Sequence, residues 1–117
     1  MNLKPQSTKA TITSLVAPSW GELADDGYPA SVVVFESGEA TYSYPYHTLS
    51  RWVLTQGETD TLQIQAGRDE LSIEGQNLRL INDALCRASL RLLRVTNDHY
   101  SGANEMVVVR SIRFKET

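Results

Sequence analysis

The feature that most constrains the fold is a hydrophobic pattern with a period of two residues, which recurs in residues 39–44, 62–66 and 71–74. Tyr42 and Tyr44 alternate with polar neighbours, and Leu62 and Ile64 alternate with glutamines. Successive side chains in a β-strand point to opposite faces, so this pattern predicts strands with one face on a core and the other toward water. Polar segments that contain glycine separate several of the alternating runs. The chain therefore favours an antiparallel sheet built from hairpins.

Residues that favour turns mark the ends of several predicted strands. Ser37-Gly38 supplies a two-residue turn in which glycine takes positive φ. Pro45 cannot donate a ladder hydrogen bond, so it ends the third predicted strand. A fourth strand follows it, and a short helix over residues 47–54 is the alternative for that segment. We predict strands over residues 10–16, 31–36, 39–44, 48–55, 62–66, 71–74 and 106–114.

The period changes after Asn77, where apolar residues recur at alternating spacings of three and four up to Val95. This spacing predicts one long amphipathic α-helix that packs on the sheet. Asn77 is a suitable N-cap for that helix. Asn82 is the alternative N-cap, for a shorter helix after a further strand, and we favour the longer helix. The apolar stripe is formed by Leu78, Ile81, Leu85, Ala88, Leu92 and Val95.

Together these elements predict an α+β fold, with an antiparallel β-sheet or partly open barrel of six to seven strands packed on a long helix in the C-terminal half. The order of elements is similar to a pleckstrin-homology-like arrangement, which is one candidate fold. That similarity rests on element order alone and implies no ligand or functional residue.

The composition is that of one globular domain, since 41% of the 117 residues are hydrophobic and 21% are charged. We therefore predict a single domain over residues 1–117. The sequence contains no apolar run near the roughly 20 residues that span a bilayer. Residues 1–9 are too polar for a signal peptide. These features predict a cytoplasmic protein without a membrane span.

Charge is distributed unevenly along the chain, although the net charge is only −3. Residues 1–76 contain four basic and ten acidic side chains, whereas residues 77–117 contain seven basic and four acidic ones. An acidic protein repels polyanions, so the balance argues against nonspecific nucleic-acid binding. A local basic surface remains compatible with binding one anion.

Two groups of residues are candidate binding sites. The first is an aromatic and polar cluster around Pro45 that is suited to stacking on a ligand ring, unless its aromatic residues are part of the core. The second is a set of arginines on the polar side of the predicted helix, which suits binding of a phosphate or carboxylate unless it is an ordinary solvated face. The ligand-binding candidates are Tyr44, Tyr46, His47, Arg51 and Trp52, and the anion-binding candidates are Arg79, Arg87, Arg91 and Arg94.

Residues for catalysis are few, because His47 and His99 are the only histidines available as general bases. No motif groups either histidine with a nucleophile, so we predict no catalytic residues, no metal site and no cofactor. Cys86 is the single cysteine and has no partner for an intramolecular disulfide.

These observations favour a non-catalytic binding or assembly module that recognises an anionic ligand, an aromatic ligand or a protein partner. The strand over residues 106–114 is apolar on both faces at its start, which suggests contact with a protein partner or self-association as a homodimer if it lies at a sheet edge. A small enzyme or enzyme subunit that uses His47 or His99 is the alternative function.

Overall fold

The structure is a computed structural model that describes residues 18–25, 27–96 and 107–116. The predicted strand over residues 10–16 lies outside the described residues. Within them the chain forms eight strands, one α-helix and one 3-10 helix. The elements are β1 (Gly21–Leu23), β2 (Val32–Glu36), β3 (Thr41–Pro45), the 3-10 helix (Tyr46–Thr48), β4 (Leu49–Thr55), β5 (Asp60–Ala66), β6 (Asp69–Gln76), α1 (Arg79–Cys86), β7 (Leu90–Arg94) and β8 (Val108–Glu116).

The strands form two four-stranded sheets. The first sheet has the order β1-β7-β2-β3 and the second has the order β4-β5-β6-β8. Only the pairing of β2 with β7 is parallel among the described strands. The prediction of an α+β fold rich in antiparallel pairing is therefore confirmed. The described strands form no closed barrel, and the pleckstrin-homology-like arrangement is not confirmed.

Both sheets contribute to one hydrophobic core. The alternation in β2 buries Val33 and Phe35, and the alternation in β5 buries Leu62 and Ile64. Trp20, which precedes β1, is also buried. Because the inward residues of both sheets belong to one cluster, the described chain is a single small domain.

The two predicted hairpins are present. β2 pairs with β3 and β5 pairs with β6, each in antiparallel register. The turn between β2 and β3 lies one residue later than predicted, since the Ser37 N–H donates to the Ala40 carbonyl and Gly38-Glu39 lie between them. Residues 49–55 form a strand, so the alternative of a helix over residues 47–54 is wrong except for the 3-10 helix.

The helix is much shorter than the predicted one and begins at a different cap. It spans only Arg79–Cys86, and its N-cap residue is Leu78. Asn77 has a left-handed φ of 59° and Asn82 lies inside the helix, so neither asparagine is the N-cap residue. The Leu78 N–H instead donates to Oδ2 of Asp60, a carboxylate at the start of β5.

The helix ends because Ala88 adopts a left-handed conformation with φ of 55°. The Ala88 N–H donates to the Leu85 carbonyl, and the Ser89 N–H donates to the Ala84 carbonyl. These two bonds form a Schellman motif, in which glycine is the usual residue at the left-handed position. The chain then turns into β7, which the sequence pattern assigned to the same helix.

A β-bulge in β7 changes which side chains face outward. Glu22 pairs with Leu92, and Leu23 pairs with Leu90, so the register passes over Arg91. Gly21 accommodates this close approach, because a Cβ there would lie 1.9 Å from the Leu92 carbonyl oxygen. The bulge leaves Arg91 exposed on the face of the first sheet that is turned away from the core.

Candidate functional site

The two tyrosines of the predicted ligand-binding cluster use their hydroxyl groups inside the fold. The Tyr44 hydroxyl donates to Oδ2 of Asp69 at 2.9 Å, and the Tyr46 hydroxyl donates to the Leu90 carbonyl at 2.8 Å. Burial, together with the bond to the Asp69 carboxylate, raises the pKa of Tyr44. Burial raises the pKa of Tyr46 to about 12. Both hydroxyls therefore stabilise contacts between elements.

The rest of the cluster is divided between two faces of β4. Trp52 is half-buried and packs against the core, whereas Arg51 is exposed on the opposite face of the same strand. Arg51 lies beside Gln65 and Glu70 in a shallow depression on the outer face of the second sheet. His47 is exposed in the 3-10 helix. The structure thus separates these residues, and their role in ligand binding stays a prediction.

The four arginines of the predicted anion site also separate. Arg79 begins α1 and lines a depression with Leu80 and Val107. The Arg94 Nε atom lies 3.4 Å from Oε1 of Glu36 on β2, an ion pair without a directed hydrogen bond at Nε. These two arginines do not line the depressions that Arg87 and Arg91 line.

Arg87 and Arg91 lie on either side of the loop that joins β1 to β2. Arg87 lines an open depression of about 420 Å³ with Asp25 and Tyr28. Arg91 lines a second depression of about 280 Å³, which Tyr28 also lines. Tyr28 and the adjacent Pro29 therefore form a ridge between two depressions, each with one arginine at its wall.

Backbone hydrogen bonds fix this loop at both ends. The Ala24 N–H donates to the Ser89 carbonyl at 2.6 Å, and the Ala30 N–H donates to the Ala88 carbonyl at 2.8 Å. Both acceptors belong to the turn that ends α1. At the tip, the Tyr28 N–H donates to the Asp25 carbonyl at 3.1 Å. The left-handed turn at Ala88 thus supports the loop that presents Tyr28.

Tyr28 is the most exposed large hydrophobic side chain of the described residues, with 76% of its surface accessible. Leu23 and Val32 flank the loop and are 45% and 41% exposed. Large apolar side chains grouped at the surface and flanked by charges are typical of interaction sites. We call this region the Tyr28 surface, and it consists of Leu23, Asp25, Tyr28, Val32, Arg87 and Arg91.

Sequence reasoning did not identify Tyr28, because residues 17–29 have the composition of an ordinary loop. The local signal for it is a bulky aromatic residue directly after an Asp-Asp-Gly turn, where small or polar residues are usual. Its proximity to Arg87 and Arg91 depends on contacts across the fold and has no local signal.

The described residues group no three His, Cys, Asp or Glu side chains in the manner of a metal site. His99 lies outside the described ranges, so the alternative of a histidine-dependent enzyme stays a prediction. In the described part of the chain, no helix is both long and apolar enough to cross a membrane.

Comparisons of this chain with protein-family models, with curated proteins and with solved structures give no match. Its function is therefore inferred from the geometry of its own residues.

Proposed function

We propose that this chain is a non-catalytic protein-binding module and that the Tyr28 surface is its contact face. The observation that supports this proposal is the exposure of Tyr28 on a loop whose two ends are hydrogen-bonded to the turn after α1. A large aromatic ring loses little conformational entropy on binding when its backbone is already held in place. Tyrosine and arginine are also the residue types that most often dominate the free energy of protein association.

The chemistry around Tyr28 suits a partner that presents both apolar groups and carboxylates. Leu23 and Val32 offer apolar area next to the ring. Arg87 and Arg91 present guanidinium groups, which bind carboxylates through two parallel hydrogen bonds. The cytoplasmic location predicted from the sequence belongs to the same proposal and is checked by cell fractionation.

The proposal is tested by NMR titration of the isotope-labelled chain with a synthetic peptide of alternating glutamate and tyrosine. We expect the backbone amide signals of Tyr28, Arg87 and Arg91 to shift, because these residues lie at the contact face. A peptide of alternating lysine and tyrosine is the matched control, and it should bind about tenfold more weakly because its charge is opposite.

Variants identify the surface that binds the peptide. Tyr28→Ala and the double change of Arg87 and Arg91 to alanine should each weaken binding by about tenfold or more. Arg51→Ala, on the other sheet, should leave the affinity unchanged. Failure of the glutamate-tyrosine peptide to bind the monomeric chain, or binding that Arg51→Ala weakens and Tyr28→Ala does not, would contradict the proposal.

A further inference from the structure

We infer that the Tyr28 surface is complementary to itself and that its partner is a second copy of this chain, related by a twofold axis. This inference rests on the proposed function, because it names the partner that the same surface binds. In a twofold dimer one patch meets its own copy, so each projecting group must face a depression and each charge an opposite charge.

The shape of the surface meets the first requirement. Tyr28 projects from the ridge between the two depressions, and each depression lies directly beside it. The depression at Arg91 has mixed walls, in which Ala24, Pro29 and Val32 contribute apolar area and Ser31 and Arg91 contribute polar area. The ring of Tyr28 from one copy fits the chemistry of that depression in the other, where the Arg91 guanidinium can stack on it. The twofold axis makes this contact twice.

Asp25 and Arg87 meet the second requirement, and Arg91 is covered by the Tyr28 ring of the other copy. Asp25 and Arg87 line the same depression, so the surface carries a carboxylate and a guanidinium side by side. A twofold axis places Asp25 of each copy opposite Arg87 of the other and forms two ion pairs. A simple anion would bind Arg87 but would be repelled by Asp25. The surface therefore suits a second copy better than a free anion.

The net charge of the chain also requires a locally balanced interface. Two copies that each carry a charge of −3 repel one another at long range. Association then depends on a patch where opposite charges meet, as they do at Asp25 and Arg87.

The edge strand proposed from the sequence as a homodimer contact is less suitable. Among the described strands, β8 forms one edge of the second sheet. Antiparallel pairing of two β8 strands would bring Arg110, Arg113 and Lys115 of both copies close together. Like charges across neighbouring strands are destabilising.

The test is sedimentation of the full chain over a range of concentrations. We expect the wild-type chain to dimerise reversibly. Tyr28→Ala, Asp25→Arg and Arg87→Asp should each raise the dimer dissociation constant by about tenfold or more. Arg110→Asp on β8 is the matched control and should dimerise like the wild type.

Mixing two of these variants gives the sharpest result. Each of Asp25→Arg and Arg87→Asp alone brings like charges together in a homodimer. In a heterodimer of the two variants, both charge pairs are again of opposite sign, one of them reversed and the other as in the wild type. We therefore expect an equimolar mixture to form dimers with an affinity near that of the wild type, whereas a variant that had merely unfolded would not be rescued.

Other outcomes separate this inference from the proposed function. A wild-type chain that stays monomeric while the glutamate-tyrosine peptide shifts the Tyr28 signals would overturn the dimer and leave the binding surface. Dimers that persist in Tyr28→Ala, or that Arg110→Asp alone disrupts, would place self-association on another face and overturn the inference. A chain that stays monomeric and also fails to bind the peptide would remove the proposed function itself.

Discussion

At the scale of single residues, Asp60 links three parts of the fold. Its side chain is only 6% exposed, and its two carboxylate oxygens accept hydrogen bonds from different backbone groups. Oδ2 accepts from the Leu78 N–H at the start of α1, and Oδ1 accepts from the Gly57 N–H in the loop before β5. A carboxylate at a helix N-terminus also interacts favourably with the helix dipole. One buried side chain of β5 therefore fixes both the start of α1 and the loop that precedes β5.

We expect Asp60→Ala to lower the free energy of unfolding by about 2 kcal/mol, because the Leu78 N–H would lose its partner in a buried site. Asp60→Asn retains a carbonyl oxygen and should cost less. Urea unfolding of the two variants measures both effects. Asn82→Ala is the comparison, since Asn82 was one of the caps predicted from the sequence and is not the N-cap residue. A larger loss for Asn82→Ala than for Asp60→Ala would contradict this description of the helix start.

The cap shows why sequence reasoning could not locate the start of the helix. An N-cap is usually sought within a few residues of the first helical turn, where Asn77 and Asn82 are the natural candidates. Asp60 lies 18 residues before Leu78 in the chain and reaches it only after β5 and β6 have paired. No local pattern contains that contact.

At the scale of elements, the end of the helix depends on a residue that is not well suited to it. Ala88 holds a left-handed φ of 55° in the Schellman motif, although its Cβ is crowded in that conformation. Its carbonyl also accepts the Ala30 N–H that supports the Tyr28 loop. The structure of this turn therefore matters both for the fold and for the proposed contact face.

We expect Ala88→Gly to raise the free energy of unfolding by up to about 1 kcal/mol, because glycine adopts the left-handed conformation without steric cost. Ala84→Gly is the matched control inside the same helix, and it should instead lower the unfolding free energy by about 1 kcal/mol or more. Thermal or urea unfolding of both variants compares the two signs. Destabilisation by both substitutions would show that Ala88 does not end the helix as described.

Local sequence patterns predict the hairpins of this fold but not the length of its helix. The hairpins β2-β3 and β5-β6 follow from the apolar run of residues 31–36, from the alternation in the other three strands, and from turns that contain Gly38 and Gly67. The helix was predicted too long because Ala88, Leu92 and Val95 continue the helical spacing of three and four residues. In the structure the fully buried residues of β7 are instead Leu90 and Leu93, and the register shifts at the bulge between them. With alanine in place of glycine at position 88, no residue marks the break.

At the scale of the whole molecule, the fold depends on pairings that join distant parts of the chain. The chain leaves the second sheet after β6, passes through α1 and returns to the first sheet as β7. There β7 pairs in parallel with β2, which links residues 34–36 to residues 92–94. This crossover brings Arg91 to the Tyr28 loop. Candidate residues such as Arg87 and Arg91 were therefore identifiable from the sequence by type, whereas their convergence on Tyr28 was not.

The two sheets also meet through an aromatic pair at their edges. Tyr42 of β3 stacks on Phe114 of β8, with ring centroids 4.6 Å apart and planes inclined by 6°. Among the described strands, β3 and β8 are edge strands of different sheets. The pair therefore closes one side of the core between the sheets.

This contact predicts a coupling between the two sheets that single substitutions alone would not reveal. We expect Tyr42→Ala and Phe114→Ala each to destabilise the chain, and the double variant to lose about 1 kcal/mol less than the sum of the single losses, because the stacking is lost only once. The four unfolding free energies are measured in urea under identical conditions, using the Tyr28→Ala background so that the proposed dimer does not contribute. Tyr42→Ala combined with Val53→Ala is the control pair, since Val53 faces outward on β4, and it should be additive. Additivity of Tyr42→Ala with Phe114→Ala would mean that the rings pack independently and that the sheets are joined only by their common aliphatic core.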